Sequence, residues 1–168
     1  MITGFDPIVG SNARVLVLGS VPGRRSLEEA RYYAQPGNSF WPIVEQLFAD
    51  GRVLDFEQRY DLLRASGVAL WDVIHLAERP GSSSDSAIRL ETVVPNDIVG
   101  FLREHTGISH VFFNGRRADD VFGQHFDPTP PVGRDIEFRG LPSTSGANAA
   151  MSFEVKLASW RQIATAGR

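Results

Sequence analysis

Val15-Leu16-Val17-Leu18-Gly19-Ser20-Val21-Pro22-Gly23 decides how the rest of this chain is read. Apolar residues, alternately β-branched, make a short buried strand, and the glycines and proline after them turn the chain at its carboxyl end. Ten residues further on stands Tyr33-Ala34-Gln35-Pro36-Gly37-Asn38-Ser39-Phe40-Trp41, an aromatic ring, an amide and a helix start within nine positions. The N–H groups of a tight glycine turn can close on a phosphate or a planar ligand. An aromatic face can stack on a base, and an amide can orient a water. The combination points to a site for a nucleobase.

Outward from that strand at 14–18, the runs 68–72, 110–114 and 135–141 read as three more, the last from the alternation of Ile136, Phe138 and Leu141. Helical patterns lie between them. Phe40, Trp41, Val44, Leu47 and Phe48 share one face of a helix opened by Ser39, with Pro42 tolerated in its first turn. Further helices are predicted at 56–63, from Pro95-Asn96-Asp97 through Leu102, at 116–122, and at the C-terminus, where Phe153, Leu157 and Trp160 form the buried stripe. This alternation predicts an α/β fold, a three-layer sandwich around a central, mainly parallel four-stranded sheet, as one domain over residues 1–168. Ligands of such sheets bind outside the carboxyl ends of the strands. The tips Gly19-Ser20, Asp72, Asn114-Gly115 and Pro142-Ser143-Thr144-Ser145 are therefore expected on one rim.

Composition narrows the chemistry. The chain has no cysteine, which excludes disulfides, thiolate zinc sites and iron–sulfur clusters. Its histidines, His75, His105, His110 and His125, lack metal-ligand spacing, and only His75 falls near the expected rim; no metal and no cofactor is expected. No apolar run is long enough to span a bilayer and the first residues lack a signal-peptide layout, so a cytoplasmic location is expected. A net charge of −3 argues against tight nonspecific DNA binding, although a local arginine cluster acts within a Debye length whatever the total.

Each candidate residue has a structural reading beside the chemical one. Gly19, Ser20, Val21, Pro22 and Gly23 are a ligand-binding turn or simply a strand-to-loop turn. Tyr33 is a stacking surface or a core aromatic. Asn38 is a water-orienting amide or a helix cap, with Ser39 available for capping instead. Asp72 can accept a hydrogen bond from a base N–H or cap a loop. Ser143, Thr144 and Ser145 offer hydroxyl and N–H groups to a phosphate, or form an N-cap turn.

With these residues in place, the chain resembles the uracil-DNA glycosylase superfamily and, within it, the DNA-deoxyinosine (hypoxanthine-DNA) glycosylases. The likeness rests on Gly19-Ser20-Val21-Pro22-Gly23 with Ser26-Leu27, on the Tyr32 to Pro42 block, on Trp71-Asp72, on Asp85-Ser86-Ala87-Ile88 and on Leu141-Pro142-Ser143-Thr144-Ser145. The resemblance implies that Tyr33 stacks on a flipped base, that Asn38 is the catalytic residue orienting the attacking water, that Asp72 reads the base, and that Ser143 and its neighbours hold flanking phosphates. It also implies damaged, deoxyinosine-containing DNA as partner, action as a monomer and a nucleoid association. Three positions depart from the uracil-cleaving members. Val21 replaces a water-activating aspartate, Leu141 stands near a catalytic histidine, and Ser145 stands near an intercalating leucine, a role for which Asn148 and Met151 are alternatives. Lys156 is the only lysine, so a monofunctional enzyme that leaves an intact abasic site is expected, since backbone nicking uses an amine. The alternatives are a mismatch-type uracil glycosylase, which shares the Ala-x-Pro-x-Asn-x-Phe-Trp block, a noncatalytic nucleotide- or DNA-binding module, and a serine hydrolase built on Ser20 or Ser143.

Overall fold

The computed structural model describes Met1–Arg168. In chain order it contains β1 (Ile2–Thr3), β2 (Val15–Gly19), α1 (Arg24–Glu29), α2 (Phe40–Phe48), α3 (Phe56–Ala65), β3 (Val68–Asp72), β4 (Ile74–Glu78), a 3-10 turn at Asp85–Ala87, β5 (Arg89–Pro95), α4 (Ile98–Glu104), β6 (His110–Asn114), α5 (Arg116–His125), β7 (Glu137–Leu141), α6 (Phe153–Trp160) and α7 (Gln162–Thr165).

The central sheet has the order β3-β2-β6-β7, and every pairing in it is parallel. β2 is buried along its whole length, as a parallel strand covered on both faces must be. Its side chains alternate between two cores. Val15 and Val17 pack with Phe40, Trp41 and Val44 of α2, Leu63 of α3 and Trp160 of α6. Leu16 and Leu18 pack with Ile98, Phe101 and Leu102 of α4 and Ala118, Val121 and Phe122 of α5. Helices on both faces of a parallel sheet make the expected three-layer α/β sandwich.

Three features differ from the sequence reading. β1, β4 and β5 form a second, antiparallel sheet, order β1-β4-β5. Only Val73 separates β3 from β4, and the chain leaves the parallel sheet there because Val73 and Ile74 N–H groups bond back to the Gly19 and Ser20 carbonyls at 2.8 and 3.0 Å. β4 and β5 pair with two register shifts, and β5 begins with three exposed residues, so neither shows a clean period of two. The last central strand starts at Glu137, two residues later than the sequence suggests. On α6, Phe153 is 37% exposed while Lys156 is only 4% exposed. Lys156 takes the inward place beside Leu157 and Trp160 because its Nζ finds the Ser145 carbonyl, 3.4 Å away. No helix is long and apolar enough to cross a membrane.

Candidate active site

The register of the central sheet brings its carboxyl ends level, with Gly19 opposite Asp72 and Asn114 opposite Leu141. From β2 the chain passes to β3 on one side and then, through β4, β5 and α4, crosses back to β6 on the other, so a crevice opens at this switch point. A cleft of about 170 Å³ occupies it, below the roughly 300–1,000 Å³ of drug-sized sites and suited to a single heterocycle. All the site candidates named from the sequence line it: the Gly19–Gly23 turn, Tyr33, Asn38, Asp72 and the Ser143–Ser145 loop. His75 does not; it lies exposed on β4, carried away where the chain leaves the parallel sheet.

The turn after β2 is held by its carbonyls. Gly19 and Ser20 accept from Val73 and Ile74, Gly23 accepts from Leu27 N–H at 3.0 Å, and Pro22 accepts from Nη1 of the buried Arg79 at 2.8 Å. The N–H groups of Ser20, Val21 and Gly23 have no partner within the protein. With four of its five carbonyls occupied, the turn has N–H groups free to donate to a ligand.

Tyr33 is forced into place. Its φ is +51°, a left-handed conformation uncommon for a residue with a side chain. Neighbouring bonds hold it there: Tyr32 hydroxyl to the Asp6 carbonyl at 2.7 Å, Trp41 Nε1 to the Tyr32 carbonyl at 2.7 Å, and Ala34 N–H to Ser26 Oγ at 3.1 Å. Phe40 covers the Tyr33 ring with centroids 4.3 Å apart. The hydroxyl reaches Gly19, where an added Cβ would lie 2.8 Å from it and 2.5 Å from Asp72 Oδ1. Only glycine lets those two oxygens share that corner.

Asp72 is buried, and its Oδ2, like the Tyr33 hydroxyl, has no hydrogen-bond partner. Burial, and next the charge of Asp85, push the Asp72 carboxyl up to about 7. Asp85 is raised too, chiefly by burial, with the Ser20 hydroxyl, which donates to its Oδ1 at 2.8 Å, pulling the other way. The Tyr33 hydroxyl is raised by burial and then by Asp72, so it stays protonated at neutral pH. Ser20 bonds to a carboxylate, and no histidine lines the cleft, so the parts of a serine nucleophile are not assembled.

Asn38 caps α2. Its Oδ1 accepts from Phe40 N–H at 2.9 Å, whereas Ser39 makes no side-chain cap. The capping role considered from sequence is thus present, but it does not exhaust the residue. The bond fixes the amide at the cleft wall and leaves one oxygen lone pair and the NH₂ group for other partners.

The opposite wall is braced by paired side-chain bonds. Asn114 Nδ2 donates to Thr144 Oγ1 at 2.9 Å, and its Oδ1 accepts from Thr144 N–H at 3.0 Å. Gly115, at φ +89°, lets β6 approach the loop, since a Cβ there would meet Ser143 Cβ at 3.0 Å. Thr144 is therefore turned inward. Ser143 and Ser145 Oγ each accept a local N–H, and their O–H protons are free to donate. Asn148 is tied to the Ser143 carbonyl at 3.1 Å. Asn114 and Asp85 also line the cleft; the sequence places Asn114 on the expected rim and Asp85 in a matching motif, but assigns neither a role, because their partners are set only by tertiary placement.

The profile of the uracil DNA glycosylase superfamily matches residues 7–164. The chain belongs to this superfamily. Two relatives named hypoxanthine DNA glycosylase agree with that placement. The one from Methanosarcina acetivorans is 33% identical over 150 residues, 89% of each chain, and the one from Methanosarcina barkeri is 30% identical over 148 residues, 86% of this chain and 87% of its own. A solution NMR structure of a Methanosarcina acetivorans protein, described as a candidate uracil DNA glycosylase, superposes with a TM-score of 0.74 at 30% identity, covering 96% of this chain and 97% of that one. This superfamily member is a DNA N-glycosylase, and its substrate is DNA.

Proposed function

We propose that the enzyme excises hypoxanthine from deoxyinosine in DNA by a monofunctional hydrolysis that leaves an abasic site. The observation that carries the reading is one cleft gathering a free N–H turn, a buried carboxyl and a fixed amide. A base inside a duplex cannot be reached, so it must be extruded at a cost of a few kcal/mol, least for a weak inosine pair. Once flipped, the base lies between the turn and Tyr33. Asp72 accepts from hypoxanthine N1–H and repels adenine, whose N1 is itself an acceptor.

Breaking the N-glycosidic bond puts negative charge on the departing purine. The unpartnered N–H groups of Ser20, Val21 and Gly23, which line the cleft, can donate to such charge, and preorganised donors lower barriers most where water is excluded. Asn38, held by its cap bond, orients the attacking water through its remaining lone pair; an amide has no useful pKa and cannot act as a strong base. Ser143 and Ser145 donate to phosphates beside the flipped nucleotide, with Thr144 supporting the loop from inside. Lys156 donates to the Ser145 carbonyl and does not line the cleft, so the only side-chain amine is poorly placed for a Schiff base.

End-labelled duplexes carrying one hypoxanthine, uracil, xanthine or normal base, treated with enzyme and then alkali, test the proposal. Alkali-dependent cutting at hypoxanthine, lost in Asn38→Ala, supports it, and borohydride should trap no covalent adduct. Cutting mainly at uracil would favour the mismatch-type reading, which the N3–H of uracil makes chemically accessible to Asp72. DNA binding without any abasic product would overturn the catalytic assignment.

A further inference from the structure

The Tyr33 hydroxyl and Asp72 Oδ2 are buried polar atoms without partners, and they belong to side chains that meet at one corner. The Tyr33 hydroxyl and Asp72 Oδ1 lie 2.8 and 2.5 Å from the point where a Gly19 Cβ would stand. Buried polar groups are nearly always satisfied in folded proteins, and leaving them bare is unfavourable. The chain maintains this arrangement with a tyrosine in a left-handed backbone conformation and with a glycine where any side chain would collide. Both residues line the cleft. A ligand that satisfies them must present an acceptor to the tyrosine O–H and, beside it, a donor to the carboxyl.

We infer that Tyr33 and Asp72 act as a donor–acceptor pair that reads the lactam edge of the flipped base, the Tyr33 O–H donating to the carbonyl oxygen and the Asp72 carboxyl accepting from the adjacent ring N–H. This rests on the proposed base-excising function and adds how the site separates lactam bases from adenine. Hypoxanthine presents O6 beside N1–H; uracil and xanthine carry the same grouping, and so do guanine and thymine, whose exclusion falls to the rest of the cleft meeting the 2-amino and 5-methyl groups they add. Adenine in the same pose places an amino donor against the tyrosine and a bare ring nitrogen against the carboxyl, so both contacts fail. The tyrosine face cannot make this distinction, because every base has a π-face; the hydroxyl can. Burial keeps that hydroxyl protonated, the charges of Asp72 and Asp85 act in the same direction, and the Asn114 amide beside it acts against them; Asp85 is the charged group whose field reaches Asp72.

Tyr33→Phe removes the donor while keeping the ring and its contact with Phe40. The test compares single-turnover release of hypoxanthine and of unsubstituted purine, which lacks both O6 and N1–H, from otherwise identical duplexes. Tyr33→Phe should lower the hypoxanthine-to-purine rate ratio about tenfold, the value of one hydrogen bond. An unchanged ratio, whether both rates fall together or neither does, would overturn the pair and leave Tyr33 a packing residue. Wild-type enzyme that releases no lactam base would overturn both the pair and the proposed function. Asp72→Ala, expected to lower the same ratio from the acceptor side, guards against a local effect of the tyrosine change.

Discussion

On the β2–β3 side of the cleft, Tyr33 and Asp72 each bury a polar atom that no protein group satisfies. On the β6–β7 side, Asn114 and Thr144 satisfy each other twice over. The first wall is kept costly and the second comfortable, although both end strands of the same sheet. A wall with buried, unmet donors and acceptors is poised for a ligand that meets them, whereas a wall braced by paired bonds holds its shape. On the proposed function, base reading belongs to the β2–β3 wall and loop positioning to the β6–β7 wall. Asn38 stands between them: its own N–H bonds to Gln35, and the next N–H, of Ser39, bonds to the Thr144 carbonyl.

The largest effect should come at that junction. Asn38→Ser keeps a capping side chain, since serine and asparagine are comparable N-caps, yet removes the amide. Hypoxanthine release should fall at least about a hundredfold with little change in melting temperature, whereas Asn38→Ala should add the loss of about 1 kcal/mol of capping. Equal activity in Asn38→Ser and wild type would reduce Asn38 to a cap. Next in size is Gly19→Ala, whose methyl would meet Asp72 Oδ1 and the Tyr33 hydroxyl. The reading corner should be wrecked, with release down about tenfold or more. Overpacking of about 1–3 kcal/mol should lower Tm by several degrees.

Asp72 sharpens the contrast through pH. Its carboxyl is raised to about 7 by burial and by Asp85, so the folded protein prefers it protonated. The stability this contributes is fully present below the unfolded value near 3.8 and is lost as pH rises through about 7. Asp72→Asn, neutral throughout, should gain in Tm over wild type as pH rises from 4 to 8, measured by thermal melts across that range. The wild-type excision rate should climb through about pH 7 as the accepting carboxylate forms, and this limb should disappear in Asp72→Asn. The smallest catalytic change belongs to the closed wall. Asn114→Ala leaves the Thr144 N–H unbonded, at a cost of about 1–3 kcal/mol, and should lower Tm with only a several-fold loss of rate. A loss as deep as that of Asn38→Ser would merge the two walls into one catalytic unit.

The central sheet is legible in the sequence because parallel strands covered on both faces are short continuous apolar runs, and Val15 to Leu18 is one. The same physics places four strand tips on one rim, so the turn at Gly19, Asp72 and the Ser143 loop stand out from residue order alone. β4 and β5 escape because their pairing slips register and their exposed residues break the alternation. Lys156 escapes because a charged residue is read as solvated, while its partner, a carbonyl of a distant loop, exists only after folding. The orphaned Tyr33 hydroxyl is equally invisible: tyrosine is ordinary in a core, and its significance lies in what it fails to touch.

The most direct test of the account is chromatographic detection of free hypoxanthine released from a deoxyinosine-containing duplex under single-turnover conditions, with wild type and Asn38→Ser side by side. Wild type should release stoichiometric free base, and a serine variant that melts at the same temperature should release almost none. Equal release from both proteins, or none from the wild type, would contradict the account.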